Sequence, residues 1–206
     1  MNGYKRVKEG VFRLEIKRSE FIAYTYAAEN EEEAKRRLAD VRQAHREARH
    51  VCFAYVCGAD GGIVRFSDDG EPGGTAGKPI LDVLQKNALK NSLIAVVRYF
   101  GGILLGAGGL TRAYSDSAAG AVKSAGCVYM REKEVYIVTA DYSTYEKIAP
   151  RLKKYGEMIE IGYGQSITAR YACEPGADMA ALVKDISCGK AAAEFVCRDY
   201  FQSEEK

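Results

Sequence analysis

Charged, hydroxyl and aromatic side chains lie within two glycine-rich segments, residues 67–79 and 98–112. Glycine tolerates backbone conformations that other residues avoid, and it lets a ligand approach the main chain closely. Ordering glycine costs much conformational entropy, so two such clusters with charges of both signs indicate a binding surface. The candidate binding residues in these segments are Asp68, Asp69, Glu71, Gly74, Thr75, Lys78, Arg98, Tyr99, Phe100, Gly101, Gly102, Gly106, Gly108, Gly109, Thr111 and Arg112.

Neither segment matches a nucleotide-binding motif in full. Gly77-Lys78 resembles the end of a Walker A loop, but that motif needs glycine at position 72 and a hydroxyl at position 79, where the chain has Pro72 and Pro79. The second segment departs from the dinucleotide-binding pattern because Thr111 stands at the third glycine position. The sequence therefore disfavours P-loop ATP hydrolysis and Rossmann-type binding, and we expect no cofactor.

The charged residues of the two segments allow several interpretations. A helix start after the second segment can bind a phosphate of a nucleotide or an RNA backbone, with Arg98 and Arg112 nearby. The two arginines can instead pair with the acidic residues of the first segment, and both arrangements can coexist. The acidic run 68–71 can bind Mg²⁺ through oxygen, or it can cap a loop and form salt bridges.

Histidines and aromatic residues add two further candidates. His45 and His50 flank the end of the first long helix, where they either serve hydrolytic chemistry with a nucleophile or act as partly buried hydrogen-bonding groups. Tyr99 and Phe100 precede the glycines of the second segment. They can stack on nucleic-acid bases, or they can close the end of a strand as a hydrophobic plug.

Hydrophobic periodicity places these residues on predicted helices and strands. Asn30 is a suitable N-cap for a helix from Glu31 to about Ala48. A stripe of small residues from Leu110 predicts a helix that packs closely on a sheet. The other predicted elements of the first part are strands Val11–Ile16, Phe21–Ala27, Val51–Cys57, Ile63–Phe66 and Leu93–Val97, and a helix from Pro79 to Asn91. The second part is predicted to follow the order β-α-β-β-α-β, the ferredoxin-like unit.

Composition and charge narrow the classes of protein. Residues 1–130 hold 19 Lys and Arg against 15 Asp and Glu, whereas the remainder is slightly acidic, so the basic part favours a polyanionic partner. No apolar run reaches the roughly 18 residues of a membrane span, so no membrane association is expected. Six scattered cysteines without a CxxC pair predict buried, reduced thiols and a cytoplasmic protein.

Four stretches of the chain resemble the YigZ/IMPACT family. Residues 67–81 and 97–114 are similar to the two glycine-rich signature blocks of that family. Residues 44–50 and 52–55 match the block that precedes them, and the second half resembles the small C-terminal domain of the bacterial members. The resemblance thus covers nearly the whole chain.

The resemblance implies two domains with known relatives. It implies an N-terminal domain, residues 1–130, with the fold of ribosomal protein S5 domain 2, and a ferredoxin-like C-terminal domain, residues 131–206, similar to domains of elongation factor G. The resemblance implies folds related to those of translation components, and it implies no established enzymatic reaction. Eukaryotic relatives bind a regulator of a stress kinase, partly through an additional domain, and this role is not carried over.

Together these observations predict a cytoplasmic, two-domain α+β protein. The leading interpretation is a non-enzymatic, translation-associated protein that binds RNA, the ribosome or a translation factor. The alternative is a protein that binds a small molecule or a phosphate-containing ligand, or a metal-dependent enzyme, through the acidic and glycine-rich segments.

Overall fold

The computed structural model describes residues 3–203, which form ten strands and five helices of an α+β protein. The described residues divide into two compact units, one of Tyr4–Tyr129 with Ser203 and one of Met130–Gln202 with Gly3. Within residues 3–203, no helix is both long and apolar enough to cross a membrane.

The first unit is built on a five-stranded sheet in which every neighbouring pair is antiparallel, in the order β2-β3-β6-β4-β5. Strand β6 is therefore central, and its last residues lie beside the first residues of β3 and β4. The elements of this part are β1 (Gly3–Val7), β2 (Gly10–Ile16), β3 (Ser19–Ala27), α1 (Glu31–Ala44), β4 (His50–Cys57), β5 (Ile63–Ser67), α2 (Gly77–Lys86), β6 (Ser92–Tyr99) and α3 (Gly106–Ala125).

The sheet is the middle layer of three, because both of its faces are apolar. Along β6, Ile94 and Val96 pack with residues of α2 and α3 in the main core, whereas Ala95 and Val97 pack with Val41 of α1 on the opposite face. Side chains alternate between the two faces of a strand. This alternation decides which helix layer the last residues of β6 meet.

Helix α3 packs closely on the sheet, as its small residues predict. The stripe that begins at Leu110 is buried through Val122. At Gly120, a Cβ atom would lie 2.4 Å from the ring of Phe12 on β2, so only glycine permits this approach.

The second unit contains the predicted order of elements, β-α-β-β-α-β. Strand β7 pairs with both β10 and β9, and β9 pairs with β8. Helices α4 and α5 contribute Ile148, Leu152 and Met179 to a core with Val138 and Tyr171 of the sheet. The elements of this part are β7 (Cys127–Ala140), α4 (Tyr142–Leu152), β8 (Gly156–Tyr163), β9 (Ile167–Cys173), α5 (Met179–Ile186) and β10 (Ala192–Ser203).

Several predicted boundaries are wrong. Asn30 caps α1 as predicted, but the helix ends at Ala44, because the chain must turn to enter β4. Helix α2 ends at Lys86 rather than Asn91, and Ala88 then adopts a positive φ of 52°. Strand β1 was not predicted.

Candidate functional site

The end of β6 places two candidate residues on opposite faces of the sheet. Arg98 follows the alternation of Ile94 and Val96 and points toward α2 and α3, whereas Tyr99 points toward α1. In the strand register, Phe21 of β3 and His50 of β4 lie directly opposite Arg98.

Arg98 forms a buried ion pair with Glu71 of the first glycine-rich segment. The Arg98 Nη1 donates to Glu71 Oε1 at 2.7 Å, and the two side chains are only 7% and 3% exposed. The hydroxyl of Tyr114 on α3 donates to the same carboxylate oxygen at 2.8 Å. This pairing confirms the salt-bridge interpretation for Arg98. Arg112 does not share it, because its exposed side chain makes no ion pair within the described residues.

The ion pair lies beside two aromatic rings and an unreactive thiol. The guanidinium of Arg98 lies 5.6 Å from the ring centroid of Phe21 and 5.5 Å from that of Phe100. Burial raises the pKa of the nearby Cys52 thiol to about 12, so this thiol stays protonated. Burial also raises the pKa of Tyr114 far above its ordinary value, which keeps its hydroxyl a donor.

The other acidic residues of the first segment accept hydrogen bonds from backbone N–H groups. Asp68 accepts N–H groups of Gly74, Ala76 and Gly77 at 2.8–2.9 Å, across the start of α2. Burial raises the pKa of Asp68, but these three donors outweigh burial and bring the pKa below its ordinary value. The carboxylate of Asp69 accepts the N–H of Val51 and pairs with Arg42.

These contacts favour the capping interpretation of the acidic run over the Mg²⁺ interpretation. Within residues 3–203, no group of three or more His, Cys, Asp or Glu is placed to hold a metal ion. Two further candidates of the segment also have local partners: Thr75 donates to the carbonyl of Pro72, and Lys78 pairs with Asp82 on α2.

The glycines of the second segment serve different purposes. A Cβ at Gly101 would lie 2.0 Å from the carbonyl carbon and oxygen of Arg18, so the segment crosses the β2–β3 turn in direct contact. Gly102 and Gly106 adopt positive φ values of 83° and 71°, as Gly74 does in the first segment. Contrary to the predicted loop, α3 begins at Gly106.

The first turns of α3 therefore contain Gly106, Gly108 and Gly109, and the hydroxyl of Thr111 donates to the carbonyl of Ala107. These residues form a helix start without a side-chain cap. Within residues 3–203, no side-chain hydrogen bond links them to Arg98 or Glu71.

Both histidines are hydrogen-bonding groups that fix their neighbours. His45 caps the end of α1, and its ring nitrogens lie 2.6 Å from the hydroxyl of Tyr24 and 2.9 Å from that of Tyr99. Burial lowers the pKa of His45, which favours a neutral ring that bridges the two tyrosines. His50 Nδ1 donates to the carbonyl of Asp69 at 2.8 Å.

A cavity of about 410 Å³ opens at this end of the sheet. Phe100 forms part of its wall and is 52% exposed. Four of the six lining residues were predicted as candidates from the sequence, but Glu47 and Arg49 were not, although Arg46 and Arg49 marked the segment as basic. The residues lining the cavity are Glu47, Arg49, His50, Arg98, Tyr99 and Phe100.

The fold and this cavity define an α+β protein with a basic, aromatic site at the end of a central antiparallel strand. Residues 17–122 match the model of the Impact N-terminal domain. The chain belongs to the IMPACT family, as the resemblance of its glycine-rich segments predicted.

Relatives in this family cover most of the chain. IMPACT family member YvyE of Bacillus subtilis (strain 168) is 38% identical over 169 residues, which are 81% of this chain and 78% of that protein. IMPACT family member YigZ of Escherichia coli (strain K12) is 37% identical over 180 residues, which are 85% and 88% of the two chains. A crystal structure described as a hypothetical protein covers both chains in full, with 32% identity and a TM-score of 0.67.

Proposed function

We propose that this protein is a non-enzymatic, translation-associated protein of the cytoplasm that binds single-stranded RNA at the cavity beside Phe100. The observation that carries the proposal is an exposed aromatic ring at the rim of a cavity lined by two arginines. Single-stranded nucleic acids bind to proteins through stacking on such rings and through phosphate contacts with cations.

Basic residues line this cavity and occupy the turn that contacts the neighbouring Gly101. Arg49 lines the cavity and makes no ion pair within the described residues. Arg98 also lines the cavity, but its charge is paired with Glu71, and its Nε, which has no hydrogen-bond partner in residues 3–203, is buried. Lys17 and Arg18 form the β2–β3 turn, whose backbone meets Gly101 next to Phe100.

The β2–β3 turn is costly for the residues that occupy it. Lys17 and Arg18 both have positive φ, 48° and 65°, in a two-residue hairpin turn where Asn-Gly is the preferred sequence. Cations at strained positions are consistent with a requirement for positive charge at this place on the surface.

The fold supports the link to translation. We propose that the first unit has the fold of ribosomal protein S5 domain 2 and that the second is ferredoxin-like, similar to domains of elongation factor G. The order of elements in the second unit and its pairing of β10 with β7, β7 with β9 and β9 with β8 support this assignment.

Fluorescence anisotropy with a labelled single-stranded RNA tests the proposed function. Phe100→Leu removes the ring while it keeps an apolar side chain, and we expect an affinity loss of about ten-fold from lost stacking. Phe66→Leu is the matched control, because Phe66 is 49% exposed on β5 and is not among the residues lining the cavity. Equal losses in both variants would contradict the assigned site.

Salt dependence separates the role of Arg49 from general charge. The wild-type affinity should fall steeply with salt, and Arg49→Gln should reduce the slope by about 0.7 for one lost phosphate contact. Lys86→Gln removes the same charge at the end of α2, at a residue that is not among those lining the cavity, and should leave the slope unchanged. Absence of RNA binding by the wild type at low salt would refute the proposal and leave a ribosomal protein or translation factor as the partner to test by co-sedimentation.

A further inference from the structure

The imidazole of His50 is fixed in one tautomer by its backbone partner. Its Nδ1 lies 2.8 Å from the carbonyl oxygen of Asp69, which can only accept, so the proton is on Nδ1. A Cβ built at Gly70 would lie 3.3 Å from Nδ1 and 3.4 Å from Cε1, so this edge of the ring lies against the backbone of residues 69–70. The neutral ring therefore carries its acceptor lone pair on Nε2.

This Nε2 is available to a ligand. It has no hydrogen-bond partner in residues 3–203, and it remains accessible rather than buried. His50 lines the cavity together with Arg49 and Arg98, which can only donate. The hydroxyl of Tyr99 is already bound to His45. His50 Nε2 and the carboxylate of the exposed Glu47 are the side-chain acceptors of this cavity that have no hydrogen-bond partner in residues 3–203.

A cavity that combines cations, an aromatic ring and a hydrogen-bond acceptor fits a ribonucleotide. Its cations suit the phosphate, the ring of Phe100 suits the base, and an acceptor suits a hydroxyl on the sugar. The 2′-hydroxyl is the group by which a protein distinguishes RNA from DNA at a given position. Deoxyribose lacks this hydroxyl, so an acceptor at this position forms no such hydrogen bond with DNA.

We propose that His50 Nε2 accepts a hydrogen bond from a ribose 2′-hydroxyl, and that this contact makes the protein prefer RNA to DNA. The inference rests on the proposed RNA binding and names the residue that selects the sugar. Asp69 is a positioning residue, because its carbonyl fixes the tautomer of His50.

Three oligonucleotides of one sequence test this proposal on the unmodified protein. They carry a 2′-hydroxyl, a 2′-fluorine or a 2′-hydrogen at every sugar, and fluorine keeps the sugar RNA-like but cannot donate. One hydrogen bond predicts that the hydroxyl form binds about three- to ten-fold more tightly than both others. Equal affinity for all three would overturn the inference and leave RNA binding intact, whereas no binding of any would overturn both.

Two variants then assign the contact. His50→Asn keeps an amide donor near the position of Nδ1 but removes Nε2, and it should bind the three oligonucleotides equally. Glu47→Ala should keep the preference for the hydroxyl form. A preference that survives His50→Asn, or one that Glu47→Ala removes, would overturn the assignment to His50. Circular dichroism of each variant verifies that it is folded, and the comparison of oligonucleotides within one variant cancels general losses of affinity.

Discussion

Replacement of Glu71 by Gln tests the energetic role of the buried ion pair. Glutamine keeps the shape of the side chain, and its amide oxygen can still accept from Tyr114, but the guanidinium of Arg98 loses its counter-charge. Breaking a buried pair on one side costs about 3–5 kcal/mol. The two aromatic rings near Arg98 compensate in part, since each such contact contributes about 0.5–2 kcal/mol. We therefore expect the lower end, about 3 kcal/mol.

Urea unfolding followed by circular dichroism measures this loss, and a double-mutant cycle assigns it. For a unit of this size, a change of about 3 kcal/mol corresponds to a melting temperature lower by roughly 10 °C. Replacement of both partners by apolar residues in E71L/R98M should cost less than either single change, because no buried charge is left unpaired.

Two results would contradict this reasoning. A cost below about 1 kcal/mol for Glu71→Gln would mean that the guanidinium reaches solvent and does not depend on its counter-charge. Additive costs in the double variant would mean that the two side chains stabilise the unit independently.

Three further predictions concern backbone, acid and thiol chemistry. Gly101→Ala should destabilise the protein by several kcal/mol because its Cβ overlaps the β2–β3 turn. Gly108→Ala, which has open space and an ordinary φ inside α3, should stabilise the protein by up to about 1 kcal/mol. Thermal melting of both variants measures these changes, and equal shifts in melting temperature would contradict the prediction. Because the pKa of Asp68 is lowered in the folded protein, its carboxylate stabilises the fold at pH values above the pKa of the unfolded chain, about 3.9, and this stabilisation is lost as pH falls through the folded pKa. Urea unfolding at a series of pH values should therefore show that Asp68→Asn loses less free energy of unfolding on acidification than the wild type does. Maleimide should label the exposed Cys188 in the native protein and leave the buried Cys52 unmodified until denaturant is added, as read by mass spectrometry.

Capping residues and hydrophobic periodicity, which act over a few neighbouring residues, correctly predicted the helices that depend on them. Asn30 accepts the N–H of Glu33 as an N-cap should, and the small-residue stripe of α3 packs on the sheet. The family was also readable, because the glycine-rich segments are long and specific. The start of α3 was not, because glycine is a poor helix former and Gly106 and Gly108 argue against a helix on propensity alone.

Features that depend on contacts between residues distant in the chain could not be predicted from the sequence. The pattern allowed Arg98 to face Glu71 or a ligand, and only the alternation along β6 and the position of Tyr114 bring the carboxylate to it. The expectation that the cysteines are buried is wrong for Cys127 and Cys188, which are exposed. The arginines at positions 46 and 49 marked this segment as basic, but no local pattern showed that Arg49 lines the cavity.

The structure changes which residues can be expected to touch a ligand. Glu71 and Asp68 look like ligand-binding carboxylates in the sequence, but both are engaged in holding the first glycine-rich segment against β6 and α2. Arg98 is held in place by the same contacts, so its replacement would remove a structural ion pair together with any phosphate contact. A loss of RNA binding in that variant could not be separated from a loss of folding. Arg49 and Phe100 line the same cavity and are exposed, and their replacement therefore tests the site with the least disturbance of the fold.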